Sequence, residues 1–169
     1  VSFTLTVAGG LVVTSSGVAP YAETYGTADA SVTTVSATGG TYPYTYAITS
    51  PSPIPLGITI NSTTGVVGIS ALTPAGTYHL VVTATDSATT PLTGTLTFDI
   101  VVGLKMTATG PTAVTNGSAG AISTVTATGN TGTVVYSLDA TTAALSWVTF
   151  NTSTGALAVT SGSVAGSYP

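Results

Sequence analysis

The chain has 169 residues, of which 4% are charged, with one cation from Lys and Arg together, five acids and a formal net charge of −4. A single lysine rules out the basic footprint that binding to phosphate backbones requires, and the lack of cysteine rules out a disulfide framework and thiolate metal sites. Mean hydropathy is +0.56, yet no apolar run approaches the roughly 18 residues that a transmembrane helix needs, so hydroxyl groups, attached sugar or burial in an assembly must keep this weakly charged surface wet.

In chain order, residues 1–7 (VSFTLTV) alternate, with Val1, Phe3, Leu5 and Val7 on one face and Ser2, Thr4 and Thr6 on the other. This is a strand standing ahead of everything that follows. Val1 is not an initiator Met and no signal-type segment precedes it, so the chain reads as mature or excerpted. From Leu11 onward, Val, Thr and Tyr runs alternate and are broken by Gly, Pro and Asn turns every eight to twelve or so residues, with no helical periodicity. Tyr42, Tyr44 and Tyr46 fall at period two and are expected to form a core-facing row, as are Tyr78, Leu80, Val82 and Ala84.

An internal repeat organises these strands. NSTTG at Asn61 recurs as NTSTG at Asn151, 90 positions on, and the same spacing carries Val35 to Val125, Gly76 to Gly166 and Tyr78 to Tyr168. LKMTATG from Leu104 echoes LVVTSSG from Leu11. The expected fold is therefore all-β, with two tandem immunoglobulin-like β-sandwiches: residues 11–102 form the first, residues 103–169 form a second, truncated one, and residues 1–10 carry an N-terminal strand that completes a neighbouring domain. After Tyr78 the first repeat continues through HLVVTATD and a turn to the strand TLTFDIVV, whereas the second has no such stretch.

A sandwich without its last strands leaves unpaired backbone groups and an uncovered core. Residues 1–7 suit that vacancy, and AGSYP followed by VSFTLTV continues the inward row of Tyr168 through Val1, Phe3 and Leu5. Burying Val1, Phe3, Leu5 and Val7 as a donor strand is worth about 6 to 12 kcal/mol before ordering costs, at roughly 1.5 to 3 kcal/mol per side chain. A strand given to the next molecule is a head-to-tail contact that generates filaments when its rotation does not close.

GGTYPYTYAITS, LGITINSTTG, AGTYHLVVTATDS and TLTFDIVV together resemble the He_PIG immunoglobulin-type and dystroglycan-type cadherin-like domains of microbial surface proteins. The resemblance covers the first repeat and the second up to its truncation. It implies an extracellular sandwich used as a spacer, stalk or adhesive module. Cadherin-type calcium sites cluster acids at domain junctions, but residues 103–110 contain none, so no metal and no cofactor is expected.

No catalytic constellation emerges. His79 is the one histidine, predicted on the outward face opposite Tyr78 and Leu80, and Glu23, Asp29, Asp86, Asp99 and Asp139 are scattered along the chain. Lys105, the one lysine, has no acid placed near it by sequence for an isopeptide bond. Sequons at Asn61, Asn116 and Asn151 are candidate glycosylation sites, although an Asx turn also explains Asn61 and Asn151. Tyr78 and Tyr168 read as tyrosine corners and Trp147 as packed in the second repeat; a sugar platform would need Tyr21, Tyr25 or Trp147 exposed and is not the expected role of these rings. The function expected is a non-enzymatic structural subunit of an extracellular, pilus-like or thread-like filament. Its partner is a further copy of itself, with glycans as a second class; nucleic acid and a membrane span are not expected. The alternative is a tandem-repeat stalk segment of a large cell-surface adhesin.

Overall fold

A computed structural model of the chain describes residues 10–110 and 113–166. The donor residues Val1, Phe3, Leu5 and Val7, and Tyr168, lie outside the described residues. The chain divides into two compact units, the first ending at Gly103 and the second beginning at Leu104.

The first unit contains β1 (Val12–Ser15), β2 (Tyr21–Thr24), β3 (Asp29–Thr38), β4 (Thr45–Ser50), β5 (Ile58–Ile60), β6 (Val66–Ile69), β7 (Gly76–Thr85) and β8 (Thr93–Gly103). They form two four-stranded sheets, ordered β1-β3-β6-β5 and β2-β8-β7-β4. β7 and β8 are an antiparallel pair with Leu80 opposite Phe98 and Tyr78 opposite Ile100, whereas β2 runs parallel to β8 with Tyr21 opposite Ile100. Alternation sends Leu80, Val82 and Ala84 inward, all fully buried, against an inner layer that includes Val35, Val67 and Ile69. At roughly 1.5 to 3 kcal/mol per buried aliphatic side chain, the inner rows of β7 and β8 are the main fastening between the sheets.

The tyrosine row is corrected at its first member. Tyr46 is buried, but Tyr42 is 79% exposed, because β4 starts only at Thr45 and the alternation that would turn Tyr42 inward has not begun. Its ring instead stands edge-on to Tyr44, centroids 5.9 Å apart. Tyr78 does form the corner: its hydroxyl donates to the Pro74 carbonyl at 2.6 Å.

Asp86, just past β7, fastens one end of the sandwich. One carboxylate oxygen accepts from the Thr41 N–H at 2.9 Å and the other from the Leu92 N–H at 2.7 Å. These backbone donors, Thr41 first, hold its pKa below the ordinary carboxylate value. Gly40, at φ +63°, lets the chain pass so close that a Cβ there would sit 2.5 Å from the carboxylate.

The second unit contains β9 (Lys105–Ala108), β10 (Gly120–Thr128), the one-turn helix α1 (Ala140–Ala143), β11 (Val148–Phe150) and β12 (Ala156–Val159). Its described strands make one sheet, ordered β11-β12-β10-β9, which corresponds strand for strand to β5-β6-β3-β1. Asp139 caps α1, its carboxylate accepting from the Thr141 and Thr142 N–H groups.

Candidate functional site

The candidate site is the face of the second unit's sheet that lacks a partner sheet among the described residues. At 90-residue spacing, Val125, Tyr136, Leu138, Val148, Phe150, Leu157 and Val159 take the places of Val35, Tyr46, Ile48, Ile58, Ile60, Val67 and Ile69. The first-unit set is buried except for the half-buried Ile60; of the second-unit set Val159 alone is buried and the others are half-buried. The difference lies overhead. Leu80, Val82, Phe98, Ile100 and Val102 cover the first set, and among the described residues no strands stand in their place over the second.

Three cavities run along the uncovered face. The largest, about 460 Å³, is lined by Val114, Ile122, Leu145, Trp147, Leu157 and Val159 among others. Two of about 310 Å³ follow. Val148 is common to the first and second, and Leu138 and Phe150 to the second and third, so the three form one groove that reaches Leu104 and Met106. Its lining is apolar, and Met106, on β9, is 51% exposed.

The second unit also lacks a strand that sequence reading did not question. Residues 135–140 occupy the places of β4, and the backbone entry is preserved, with Tyr136 N–H donating to Thr152 O at 2.8 Å as Tyr46 N–H donates to Ser62 O at 2.9 Å. Yet they form no strand. β4 is an edge strand whose ladder partner is β7, and among the described residues of the second unit no such partner lies beside its counterpart, which has no ladder to join. The sequence signal was available in the missing partner, not in the segment itself.

The other candidate residues are dispersed. His79 is exposed on the outward face, as expected, and its Nδ1 lies 2.7 Å from Asp99 across the β7–β8 pair. Lys105 is exposed on β9. Glu23 has its pKa raised, first by burial and then by the charge of Asp29, but no catalytic geometry surrounds it. Among the described residues no group of three or more His, Asp and Glu side chains is placed to hold a metal ion. Tyr21 is no sugar platform: its ring packs edge-on against Phe98 at 5.7 Å and its hydroxyl donates to Ser16 O at 2.6 Å. Tyr25 is half-buried against the core, and Trp147 is half-buried in the groove wall.

The sequon asparagines Asn61, Asn116 and Asn151 are all exposed. Asn61 and Asn151 are also Asx turns, each side-chain oxygen accepting two backbone N–H groups at 2.9 to 3.0 Å.

Residues 11–103 match the family profile He_PIG, described as "Putative Ig domain". The chain belongs to this family. The He_PIG assignment agrees with the resemblance drawn from the sequence and gives an immunoglobulin-type domain over residues 11–103. No curated protein matches the chain. Solved structures similar to it include the protocadherin gammaB4 extracellular domain, at 17% identity over 83% of this chain and 27% of that one, TM-score 0.43. Human CDH23 EC21-23 is similar at 19% identity over 92% of this chain and 55% of that one, TM-score 0.43. Mouse cadherin-23 EC22-24 is similar at 17% identity over 87% of this chain and 53% of that one, TM-score 0.40. The chain thus spans about a quarter of the protocadherin and just over half of the two cadherin-23 fragments. Among the described residues no helix is long and apolar enough to cross a membrane.

Proposed function

We propose that this He_PIG chain is a structural subunit of an extracellular filament, built head-to-tail by β-strand complementation. Residues 1–7 of one molecule enter the apolar groove of the second unit of the next. One observation carries this reading: among the described residues the second unit has one sheet, with the inner face of that sheet open along a groove from Val164 to Leu104. Val1, Phe3, Leu5 and Val7 supply a row of apolar side chains at the spacing such a face accepts. The contact joins unlike surfaces, so it propagates into a filament when its rotation does not close a ring. Exposed sequons at Asn61, Asn116 and Asn151 fit a secreted, glycan-bearing surface.

The test is electron microscopy of the purified protein and of a Phe3→Asp, Leu5→Asp variant. A charge on the inserted face carries a desolvation cost that the groove cannot offset. The unaltered chain is expected to form filaments and the variant to remain unassembled, with the first unit still folded by circular dichroism. Filaments of normal appearance from the variant would refute the reading.

A second reading is favoured by the recurrence of the AGTY motif, which opens β7 in the first unit, as AGSY at Tyr168. On that reading the groove is filled by a continuation of the same polypeptide, and the chain is a segment of a tandem-repeat adhesin stalk. Denaturing mass measurement of native material separates the two. A mass near 16.4 kDa plus any sugar supports the subunit; a far larger polypeptide supports the stalk.

A further inference from the structure

Among the described residues the groove has neither a β7 nor a β8 counterpart, and residues 1–7 match one of them far better. Set against LTFDIVV, residues 96–102 of β8, the sequence VSFTLTV places Val1 at Leu96, Phe3 at Phe98, Leu5 at Ile100 and Val7 at Val102, with Ser2, Thr4 and Thr6 on the outward row. In the first unit Phe98, Ile100 and Val102 are 5%, 0% and 2% exposed, so these are the side chains that close the core. The order of elements matches too, with a linker two residues longer: β8 ends at Gly103 and leads through Leu104 into β9, and residues 1–7 lead through Ala8, Gly9 and Gly10 to Leu11 and β1.

Set instead as a β7 strand continuing from Tyr168, Phe3 would stand at Val82, Leu5 at Ala84 and Val7 at Asp86. Val82 and Ala84 are fully buried, and their second-unit neighbours are no smaller: Tyr136 for Tyr46, Leu138 for Ile48 and Leu157 for Val67. Larger side chains there overpack the core. Val7 could not accept the backbone N–H bonds that Asp86 accepts from Thr41 and Leu92.

We infer that residues 1–7 form a β8-type strand that takes, in the second unit of a further copy of this chain, the place β8 holds in the first unit, parallel to the segment around Ala113. This rests on the strand-exchange reading and sharpens it. The entry to β7 is not what residues 1–7 repeat, since Ala75, Gly76 and Tyr78 recur as Ala165, Gly166 and Tyr168. The register follows from β2, where Ala22 lies opposite Val101. The turn closing β2, Thr27 N–H to Thr24 O at 3.1 Å, recurs as Ser118 N–H to Thr115 O at 2.9 Å, so Ala113 is the counterpart of Ala22 and faces Thr6. In the β7 place, Thr4 would instead face Ser137, because Thr83 lies opposite Ala47.

The chain has no cysteine, so paired cysteines report the register against a clean background. Two full-length double variants, Thr6→Cys with Ala113→Cys and Thr4→Cys with Ser137→Cys, are assembled, oxidised and run without reductant. The expected result is a ladder of covalent multimers from the first pair, on the order of tenfold stronger than from the second, since a disulfide needs Cα atoms within about 7 Å. A ladder from the second pair alone overturns the β8 place while leaving strand exchange intact. A cross-linked monomer from the first pair overturns the second copy as occupant. Filaments with neither pair bonded overturn strand exchange itself. If a double variant does not assemble, synthetic residues 1–7 carrying Thr6→Cys or Thr4→Cys are offered to chains carrying Ala113→Cys or Ser137→Cys. Capture through Ala113→Cys supports the proposal, and capture through Ser137→Cys, or none, overturns it.

Discussion

The two units share their turns and differ in their faces, which separates what a local sequence can build from what a core must complete. At the Asx turns the copies agree closely: Gly65 N–H donates to Asn61 O at 2.8 Å and Gly155 N–H to Asn151 O at 2.8 Å, while Val35 and Val125 donate to Gly65 O and Gly155 O at 2.9 and 3.0 Å. Tyr46 and Tyr136 each accept the N–H of an alanine, Ala37 or Ala127, at 3.1 Å. Thr73 and Ser163 are buried at equivalent places. Above that sheet the likeness ends, since the first unit has β2-β8-β7-β4 and the described second unit has a groove. One sheet is therefore specified by its own turns and pairings, whereas an edge strand such as the β4 counterpart depends on a neighbour.

The largest effect that would break this comparison is expected from large-to-small changes in the two inner layers. Leu80→Ala, at a fully buried site, should cost the first unit about 2 to 5 kcal/mol. Leu157→Ala, at a half-buried site in the groove, should cost the unassembled second unit less, because much of the side chain already meets water. Urea unfolding followed by Trp147 fluorescence for the second unit and by circular dichroism for the whole chain measures both. Assembly should bring the cost of Leu157→Ala up towards that of a core position; equal costs before and after assembly would mean that nothing fills the groove.

A smaller but more symmetric effect is expected at the shared turn. Gly65 and Gly155 have φ of +71° and +69°, and a Cβ on either would lie 2.1 or 2.2 Å from the carbonyl oxygen of Val35 or Val125. Backbone cannot yield as a flexible side chain would, so Gly65→Ala and Gly155→Ala should each cost roughly 2 kcal/mol or more. Two-step thermal unfolding should show each substitution lowering the transition of its own unit alone. If Gly155→Ala has no effect, the turn does not stabilise the second sheet.

Much of this was legible because the signals are local. The Asn-x-x-x-Gly turns fixed the repeat, and the His79 and Leu80 phases on β7 followed from alternation. Tyr42 was misread because period two continues through Pro43 in the sequence, whereas the strand does not begin until Thr45. The placement of Tyr21 was not legible, because its T-shaped contact with Phe98 joins β2 to β8, 77 positions apart and beyond any local pattern. The groove was legible as a missing stretch of sequence, but the loss of the β4 counterpart was not, since it follows from a pairing and not from the residues themselves.

The smallest effect is confined to acid and distinguishes the units by one carboxylate each. Asp86 is held below its ordinary value of 3.8 by backbone N–H donors, and Asp139 below the same value by Thr142, through the hydroxyl first and then the N–H. A carboxyl whose folded pKa is depressed binds its proton more weakly in the folded state. It therefore contributes stability above the unfolded value, and that contribution is lost as pH falls from about 4 through the folded pKa. Glu23 opposes this in the first unit. Burial raises its pKa above 4.5, so its folded form gains stability as pH falls through that raised value, which flattens the first unit's profile at the upper end of the acid range. Asp86→Asn should remove the steep part of the first unit's decline below about pH 4 and leave the second unit's profile unchanged. Asp139→Asn should act on the second unit alone and more weakly, because Asp139 is exposed and screened by solvent. Thermal midpoints of the two transitions at pH 7, 4 and 2.5 measure this, and a slope in the first unit that survives Asp86→Asn would show that Asp86 does not carry the acid sensitivity.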